Sequence, residues 1–530
     1  MRQAKNLKIK FLGIIPSLID KTGKLNPQQL VALSALVTFK GWTVKKLIEQ
    51  IKSSGEELDQ KVIKIIEQSS LRGHASMATT PTIALFFEGS KFLDSMLSGI
   101  IFSSSLMASG RRTGTTPKDI VYPTSILKNK RAKKLFYQTS KQNIDFFNLL
   151  LRENIAKDEA SRILPYGILG TGIIVLPLES LASFAREFML EKNWLPEEAE
   201  IFLEQVKTQL KKDRADQIFN SRLIAPRNMY PYPNIFKDPR KPNLVRELTK
   251  KHQLTQKTKI ISLEVLKSSN LKKAFKLLEK KQAQLNLNRK SFWQNWQDIQ
   301  LIYRQLARDF ANVISVKILS TVPWRVWGEK KRHRTVPMIS ESIYYCIQQT
   351  ASLFKKLQKK IEHKKITPKD IIKIERRFTL APTIIKNEKF LYQWLERASA
   401  SLQTYEKLIK LGIPAKDAVF VIPRALNIDV FQDYNLFNLI TGYYPLRLCS
   451  TAEKQMLALT EKEAQAIEKK LDRQGLKFIA QQIKPKCYLG KFCPERVFCQ
   501  KIVKLDPQYN RQKHEKVNQI IINQFRKITS

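Results

Sequence analysis

Apolar residues recur at three- and four-residue steps in several long stretches of the chain. The clearest of these stretches are 131–154, 196–212, 291–319 and 392–411. This spacing places apolar side chains along one face of an α-helix, so each stretch is predicted to form a long amphipathic helix. The stretch that starts at Pro196 carries acidic residues directly after the proline, which favours a helix N-terminus there.

Prolines and basic residues concentrate between the two helical blocks, in residues 208–258. This composition predicts a connector that is extended where the prolines lie. The predicted organisation is therefore a first domain over 1–207, the connector, a second domain over 259–480, and a C-terminal segment over 481–530 that holds a cysteine cluster and a basic tail.

Two apolar stretches, 96–108 and 163–178, come nearest to a membrane span. The first is short and contains serines, and the second is interrupted by prolines and glycines. Neither reaches the roughly 20 apolar residues that a span requires. Pro16 interrupts the short apolar run near the basic start of the chain, so no signal peptide is expected. The sequence predicts a cytoplasmic protein with no membrane segment.

The two helical blocks resemble each other in the order of their motifs. The segment 155–165 is similar to 413–423 in length and in its final proline, and each follows a helix with a Tyr-Gln pair near its start. A basic cluster precedes each helix, Gly110-Arg-Arg-Thr in the first block and Arg332-His-Arg-Thr in the second. The repeated order predicts a divergent tandem duplication. The second copy carries an extra basic segment over 355–377.

The chain is strongly basic. It has 93 Lys and Arg against 47 Asp and Glu, a net charge of +46 and a pI near 10.0. Such a surplus attracts polyanions, so nucleic acids, nucleotides and anionic lipids are all candidate partners. A lysine-rich, solvated surface explains the same surplus, and both explanations stay open.

A basic fork at Arg332-His333-Arg334 is followed by Ser340 and Ser342. In an extended chain, both arginines project to one side and His333 to the other. Guanidinium groups suit phosphates, and the serines can add hydroxyl and backbone donors. The alternative is a run of solvated charge.

Four of the five cysteines lie near the C-terminus, at Cys449, Cys487, Cys493 and Cys499. Four thiolates complete a closed tetrahedral Zn²⁺ site, which predicts these four residues as ligands of a structural zinc ion. The spacing lacks a close Cys-x-x-Cys pair, so buried free thiols are the alternative. Cys346, in an apolar context, is predicted to be a core residue.

The basic fork resembles the signature of the flavin-dependent thymidylate synthase family. In that family Arg-His-Arg is followed, after seven intervening residues, by a serine and then by a terminal Arg-Tyr. Ser342 stands at that spacing after Arg332-His333-Arg334, and Tyr345 occupies the place of the final tyrosine.

Other motifs of the family are also similar. Gly73-His74-Ala75-Ser76 resembles its Gly-His-x-Ser element, and Leu446-Arg447 resembles a Leu-Arg element near its active site. Archaeal-type members are similar in having cysteines after that arginine and near the C-terminus. The chain departs from the family where Tyr344 replaces an arginine, Pro337 a serine and Glu453 a glutamine. Neither copy holds both the Arg-His-Arg and the Gly-His-x-Ser element.

The resemblance implies reductive methylation of dUMP at C5. Methylenetetrahydrofolate supplies the carbon, and FAD reduced by NADPH supplies the hydride. The resemblance also assigns roles: flavin contacts for Arg332, His333, Arg334 and His74, the dUMP phosphate for Ser342, and a catalytic contact with the pyrimidine for Arg447. For each residue a structural role is the alternative: surface charge for the two fork arginines, a turn residue for His74 and Ser342, and a helix cap for Arg447.

The predicted fold is α+β, with two related domains that each pack a small, mainly antiparallel sheet with long helices. The resemblance implies a homotetramer with shared active sites, so a tandem chain is predicted to form a homodimer that imitates it. The alternative function is a non-catalytic descendant of that fold that binds nucleotides or nucleic acid through its basic surface.

Overall fold

The computed structural model describes residues 2–16, 18–20, 23–53, 57–108, 114–225, 230, 232–254, 257–285 and 292–529. The chain folds into two compact units. The first comprises Met1–Pro242, Pro323–Arg334 and Ser340–Ile428, and the second comprises Asn243–Val322, Thr335–Ile339 and Asp429–Ser530. The segment 259–480 therefore contributes to both units.

The strands in chain order are β1 Arg2–Gln3, β2 Lys8–Ile15, β3 Leu18–Asp20, β4 Gly23–Leu25, β5 Thr82–Ser90, β6 Ser104–Met107, β7 Val121–Tyr122, β8 Leu169–Pro177, β9 Thr258–Val265, β10 Ile314–Pro323, β11 Met338–Ser340 and β12 Asn427–Asn435.

The helices up to residue 242 are α1 Pro27–Lys40, α2 Val44–Ser53, α3 Glu57–Gln68, α4 Ser76–Thr79, α5 Lys91–Leu97, α6 Thr124–Lys128, α7 Lys130–Arg152, α8 Lys157–Ala160, α9 Leu178–Leu190, α10 Glu197–Lys212 and α11 Asp216–Ile224. Those that follow are α12 Leu244–Lys251, α13 Ser269–Gln284, α14 Phe292–Asp309, α15 Trp324–Lys330, α16 Ile343–Glu362, α17 Pro368–Arg377, α18 Pro382–Ile385, α19 Glu388–Lys410, α20 Ala415–Ala418, α21 Tyr444–Arg447, α22 Lys454–Arg473, α23 Lys477–Ala480, α24 Lys486–Gly490, α25 Gln500–Leu505 and α26 Arg511–Thr529.

The first unit is built on a four-stranded antiparallel sheet in the order β2-β5-β8-β6. Strand β5 pairs with β8 along its whole length, from Thr82 opposite Pro177 to Ser90 opposite Leu169. Alternate residues of a strand face opposite sides of the sheet, and in β5 the alternating Ile83, Leu85 and Phe87 are fully buried. This face of the sheet forms part of the core.

A second four-stranded sheet has the order β9-β10-β12-β11, and β9 and β10 pair antiparallel. The two sheets share one pattern. In each, the second strand in spatial order is followed directly by a short helix, α5 after β5 and α15 after β10. The prediction of an α+β fold with small antiparallel sheets and long helices is confirmed.

Two helices of equal length, α7 and α19, pack against each other in the first unit. Each has 23 residues and begins after an asparagine whose side chain accepts a hydrogen bond from the first turn. Buried polar pairs join them: Thr139 Oγ1 lies 2.8 Å from Thr404 Oγ1, and Asn143 Nδ2 donates to Ser401 Oγ at 2.9 Å. Because a buried polar group is costly without a partner, these pairs fix how the helices align.

The segments that follow these helices also meet. Pro165 lies opposite Pro423 in an antiparallel bridge. The amide of Tyr166 donates to the carbonyl of Ile422, and the amide of Arg424 donates to that of Leu164, both at 3.1 Å. The segments with similar sequences are therefore joined to each other by backbone hydrogen bonds.

The amphipathic pattern located most of the long helices. Those predicted over 131–154, 196–212 and 392–411 are confirmed as α7, α10 and α19. The helix predicted over 291–319 is correct only as far as α14, because the chain continues into strand β10. That strand contains the alternating β-branched residues Ile314, Val316 and Ile318, which favour a strand.

Helices α11 and α12 lie within the range 208–258, predicted to be a connector that is extended at its prolines. Residues 232–243 between them are not helical, and this part holds several of the prolines. Among the helices of the described residues, none is both long and apolar enough to cross a membrane.

Candidate functional site

The basic fork lies in a turn that follows α15. The amide of His333 donates to the carbonyl of Lys330, and the amide of Arg334 donates to that of Arg332, both at 3.1 Å. The chain is therefore not extended at the fork, and the alternation of an extended chain does not apply there. The two arginine side chains nevertheless converge, because both contact the segment Asp94–Ser103 of the same unit.

The arginines of the fork already have partners within the chain. Arg332 pairs with Asp94 at 3.1 Å. Arg334 donates to the carbonyl oxygens of Ile100 at 2.9 Å and Ser98 at 3.1 Å, and to Ser103 Oγ at 3.0 Å. The guanidinium of Arg334 thus holds the turn against a neighbouring loop, whereas the buried Nε of Arg332 has no hydrogen-bond partner.

Further cations surround the fork in the first unit. We define the cationic cluster as Lys91, Arg325, Lys331, Arg332, Arg334 and Arg424, with Asp94 among them. Burial is the largest cause that lowers the pKa of Lys331 to about 7, against the opposing effect of Asp94. Burial, and then the charge of Arg424, lower the pKa of Lys91 to about 8. The cluster therefore favours neutralisation, either by loss of protons or by a bound anion.

A cavity of about 100 Å³ opens beside the cationic cluster. Lys91 and Arg424 line it together with Thr115 and Thr171. Arg424 is buried, its Nε has no hydrogen-bond partner, and its guanidinium lies 5.7 Å from the centre of the Tyr166 ring. Burial lowers the pKa of Arg424 to about 10. The donors of Lys91 and Arg424 suit an anion with oxygen acceptors.

Sequence reasoning missed both Lys91 and Arg424. Each is a basic residue beside an apolar run, Lys91 before Phe-Leu and Arg424 between Pro423 and Ala-Leu. A charged residue that interrupts a buried segment is itself a signal, since lysine and arginine are almost never fully buried unless they are paired.

Ser342 lies immediately before α16 and is almost fully buried. Its hydroxyl donates to the carbonyl of Lys237 at 2.6 Å, and the amide of the next residue, Ile343, donates to the carbonyl of Ile235 at 2.8 Å. Ser340 likewise donates to the carbonyl of Asn234. The chain segment 234–237 therefore occupies these donors, including the Ser342 hydroxyl that the resemblance assigns to the dUMP phosphate.

His74 is exposed, in the turn before the short helix α4 of the first unit. Its backbone amide donates to the carbonyl of Ser69 at 3.2 Å. The first-copy basic cluster Gly110-Arg-Arg-Thr lies outside the described residues. A flavin contact of His74 stays a prediction.

Arg447 belongs to the second unit, at the end of α21. A π-helical turn, Asn438–Gly442, precedes that helix. Tyr434, Tyr443 and Tyr444 pack their rings together there, with centroids 5.0 to 5.3 Å apart. Irregular π-helical turns are frequent at functional sites. Arg447 is half-buried beside this aromatic group, and its contact with a pyrimidine stays a prediction.

The four C-terminal cysteines line one small cavity in the second unit. Burial, and then the nearby Cys493, raise the pKa of Cys487 to about 12. Among the described residues, however, no group of three or more His, Cys, Asp or Glu side chains has the arrangement of a metal site. The donor set suits Zn²⁺, but its geometry here is not that of a closed site. Cys346 is buried in α16, as predicted.

Part of the chain is similar to known proteins. Residues 269–471 match the family described as "Thymidylate synthase complementing protein". The flavin-dependent thymidylate synthase of Pyrococcus abyssi is 28% identical over 125 residues, which are 23% of this chain and 50% of that protein. That of Thermococcus onnurineus is 26% identical over 138 residues, 26% of this chain and 54% of that protein. The chain spans about half the length of these relatives.

Solved structures are also similar at low identity. The UMP/dUMP methylase PolB from Streptomyces cacaoi, bound with 5-Br dUMP, has a TM-score of 0.31 and 13% identity, covering 43% of this chain and 100% of its own. Thymidylate synthase X from Helicobacter pylori, with FAD and dUMP, has a TM-score of 0.31 and 15% identity, covering 41% and 99%.

Proposed function

We propose that the chain binds FAD and dUMP and methylates dUMP reductively at C5. Residues 269–471 match the thymidylate synthase complementing protein family, and the similar proteins of Pyrococcus abyssi and Thermococcus onnurineus are flavin-dependent thymidylate synthases. The carbon comes from methylenetetrahydrofolate, and NADPH is the reductant. The matched segment includes the basic fork, Ser342 and Arg447.

The cationic cluster is the observation that carries this proposal. Burial has already removed most of the water from Lys91, Lys331 and Arg424, so an anion that enters meets donors that need little reorganisation. The cavity beside Lys91 and Arg424 admits a group of phosphate size. These two residues, together with Arg332, would hold the phosphate oxygens of a nucleotide or of the flavin cofactor.

Bound FAD, once reduced, supplies the hydride. The chain's own residues bind and orient: Lys91 and Arg424 neutralise phosphate, and Arg334 positions the turn that carries Arg332 and His333. A contact of Arg447 with the pyrimidine would stabilise negative charge that develops on the ring. Ser342 has no assigned step, because its hydroxyl donates to the chain itself.

The test is tritium release from dUMP labelled at C5, with FAD, NADPH and methylenetetrahydrofolate present, alongside flavin absorbance of the purified protein. Substitutions Lys91→Met and Arg424→Met should weaken nucleotide or flavin binding. Lys207→Met, at an exposed position of α10, is the matched control. Protein that takes up neither FAD nor dUMP in equilibrium dialysis would overturn the proposal. Complementation of a thymidine-requiring strain tests the same activity in cells.

A second candidate function is nucleotide binding without catalysis. It is favoured by the use of Arg334 and Ser342 donors within the chain, since these are groups that the family resemblance assigns to ligands. Binding of FAD and dUMP without tritium release, even with the folate and NADPH present, would select this candidate over the enzyme.

The duplication is supported by the matching strand orders of the two sheets, by the equal lengths of α7 and α19, and by the bridge between Pro165 and Pro423. A chain with two copies could supply two positions of a four-part assembly. We therefore propose a homodimer. Light scattering that finds only monomer at micromolar concentration would exclude it.

The cysteine cavity is the proposed place of a structural zinc ion, because four thiols line it. Ligation would stabilise the C-terminal segment by up to about 10 kcal/mol, as structural zinc does in small modules. Elemental analysis of protein purified without chelator should find near one equivalent of zinc. A metal-free chain that unfolds at the same urea concentration with and without added zinc would identify the four residues as buried free thiols.

A further inference from the structure

A larger cavity lies on the first unit, and no residue of the cationic cluster lines it. Its volume is about 480 Å³, within the range of about 300–1,000 Å³ typical of small-molecule sites. Ile120 and the rings of Tyr122 and Tyr137 line it, and it shares no lining residue with the cavity beside Lys91. Tyr137 is 39% exposed, so an aromatic ring is accessible at this site.

Four lysines surround these aromatic walls: Lys118, Lys130, Lys133 and Lys134. All four are exposed, and none has an ion-pair partner among the described residues. Farther along the same helix, by contrast, Lys141 pairs with Asp145 at 2.6 Å.

Three of these lysines occupy the first five positions of α7, whose first turn contains no acidic residue. A helix N-terminus carries partial positive charge, so cations there are unfavourable. The lysines also repel one another across the cavity. A bound anion would relieve both effects.

The corresponding face of α19 is buried, which shows that a helix at this position need not expose that face. Counted from the asparagine caps, Lys133, Lys134 and Tyr137 of α7 match Leu391, Tyr392 and Leu395 of α19, which are buried. The loop between α16 and α17 covers that face, and the amide of Ile366 donates to the Tyr392 hydroxyl. Among the described residues between β6 and α6, no such helix pair is present. The exposed face of α7 therefore carries lysines at positions where α19 carries buried core residues.

We propose that this lysine–tyrosine cavity binds a nucleotide, with the base against the tyrosine rings and the phosphate among the lysines. Aromatic side chains stack on any base, and lysines neutralise phosphates irrespective of sequence. Both a free nucleotide and a nucleotide within a single-stranded RNA or DNA carry this chemistry. The site is independent of the proposed enzymatic function, because it uses none of the residues of the cationic cluster.

The test uses fluorescence anisotropy of the full chain with labelled oligouridylate and oligothymidylate of about 12 nucleotides, a length that covers one binding face. Substitution Lys133→Glu with Lys134→Glu should weaken binding at least about tenfold at near-physiological salt and reduce the slope of log affinity against log salt by about 1.4, since each phosphate contact of a single strand contributes about 0.7. The matched control, Lys207→Glu with Lys211→Glu, makes the same change of charge on exposed positions of α10 and should leave affinity within about twofold.

A third variant separates stacking from charge. Tyr137→Ala should weaken binding without changing the salt slope, because it removes no charge. Unlabelled UMP that competes at millimolar concentration identifies a free nucleotide as sufficient, whereas competition by oligonucleotides alone identifies a single strand as the ligand.

Three results would overturn the proposal: no binding at about 50 mM salt, equal losses in the two double variants, or an unchanged affinity after Tyr137→Ala. Flavin absorbance should be the same in all of these variants. Its loss would indicate that the substitutions disturb the first unit rather than a separate site.

Discussion

Substitution of Arg334 by alanine separates a structural role of the basic fork from a cofactor-binding role. The side chain donates to the carbonyl oxygens of Ile100 and Ser98 and to the hydroxyl of Ser103. These contacts tie the turn after α15 to the loop that follows α5. Removal of the guanidinium leaves three acceptors without that donor.

The magnitude follows from the burial of the acceptors. Ile100, Ser98 and Ser103 are 2%, 0% and 5% exposed. Hydrogen bonds to a charged group contribute about 1.5–3 kcal/mol each, but such contributions are not additive. Arg334 itself is only half-buried, so water can replace some of its donors. We expect the free energy of unfolding to fall by about 3 kcal/mol.

The assay is urea denaturation followed by circular dichroism, in parallel with titration of FAD. Arg334→Lys keeps the charge but not the fork of donors, and it should lose an intermediate amount of stability. Arg152→Ala, at an exposed position of α7, should change stability by less than about 0.5 kcal/mol. If Arg334→Ala unfolds like the unsubstituted chain and yet no longer binds FAD, the arginine acts on the cofactor and the structural explanation is wrong.

Three further predictions follow from buried polar groups. Ser342→Ala should lower the free energy of unfolding in urea by about 1–2 kcal/mol, because the carbonyl of Lys237 loses its donor. The affinity for dUMP, measured by calorimetry, should not change. A loss of dUMP binding without a loss of stability would instead support the phosphate contact that the family resemblance assigns to Ser342. In a double-mutant cycle, the effects of Asn143→Ala and Ser401→Ala on the free energy of unfolding should be coupled by about 1 kcal/mol, because Asn143 and Ser401 form one hydrogen bond between α7 and α19. Additive effects would contradict that bond. Burial lowers the pKa of Lys331 from 10.5 to about 7. Between these two pH values the unfolded chain therefore binds one proton more than the folded chain does. The free energy of unfolding should rise with pH in that window, by about 1.4 kcal/mol per pH unit. Lys331→Met should flatten that rise in urea midpoints measured between pH 7 and 10, and an unchanged slope would refute the assignment.

The local pattern of the sequence predicted the helices whose apolar face is continuous. It failed at β10, where a helical period up to Asp309 was extended into a strand. The change from a period of three or four residues to strict alternation at Ile314, Val316 and Ile318 was present in the sequence. A single helical period over 291–319 averages these two patterns and hides the boundary between the elements.

The candidate site shows a different limit. The Arg-His-Arg motif indicates Arg332 and Arg334, but Asp94, the ion-pair partner of Arg332, lies 238 residues before it in the chain. Nothing in the local sequence indicates that α5 and the fork meet, because that contact depends on how the sheets and helices assemble. Lys91 and Arg424 could be recognised as unusual, yet only the fold places both at one cavity.

The proposed duplication gives a physical reason for an asymmetric cationic cluster. In a dimer of identical chains, the residue after the bridged proline is the same on both sides of the two-fold axis. In this chain Tyr166 follows Pro165 and Arg424 follows Pro423, so the pair combines an aromatic ring and a cation. The first residues of the short helices differ in the same way, Lys91 in α5 and Trp324 in α15.

These differences combine at one place. The Tyr166 ring stacks on Trp324 with centroids 3.8 Å apart, and Arg424 lies over the same tyrosine. Two arginines at the positions of Tyr166 and Arg424 would repel each other, because both would be buried. Two aromatic residues at these positions would offer no donor to an anion. Fusion of two copies into one chain allows each to change alone, so one can supply the aromatic wall and the other the cation. The same reasoning applies to α7 and α19 under the proposed duplication: one helix has a buried apolar face, and the other exposes the corresponding face and carries lysines on it.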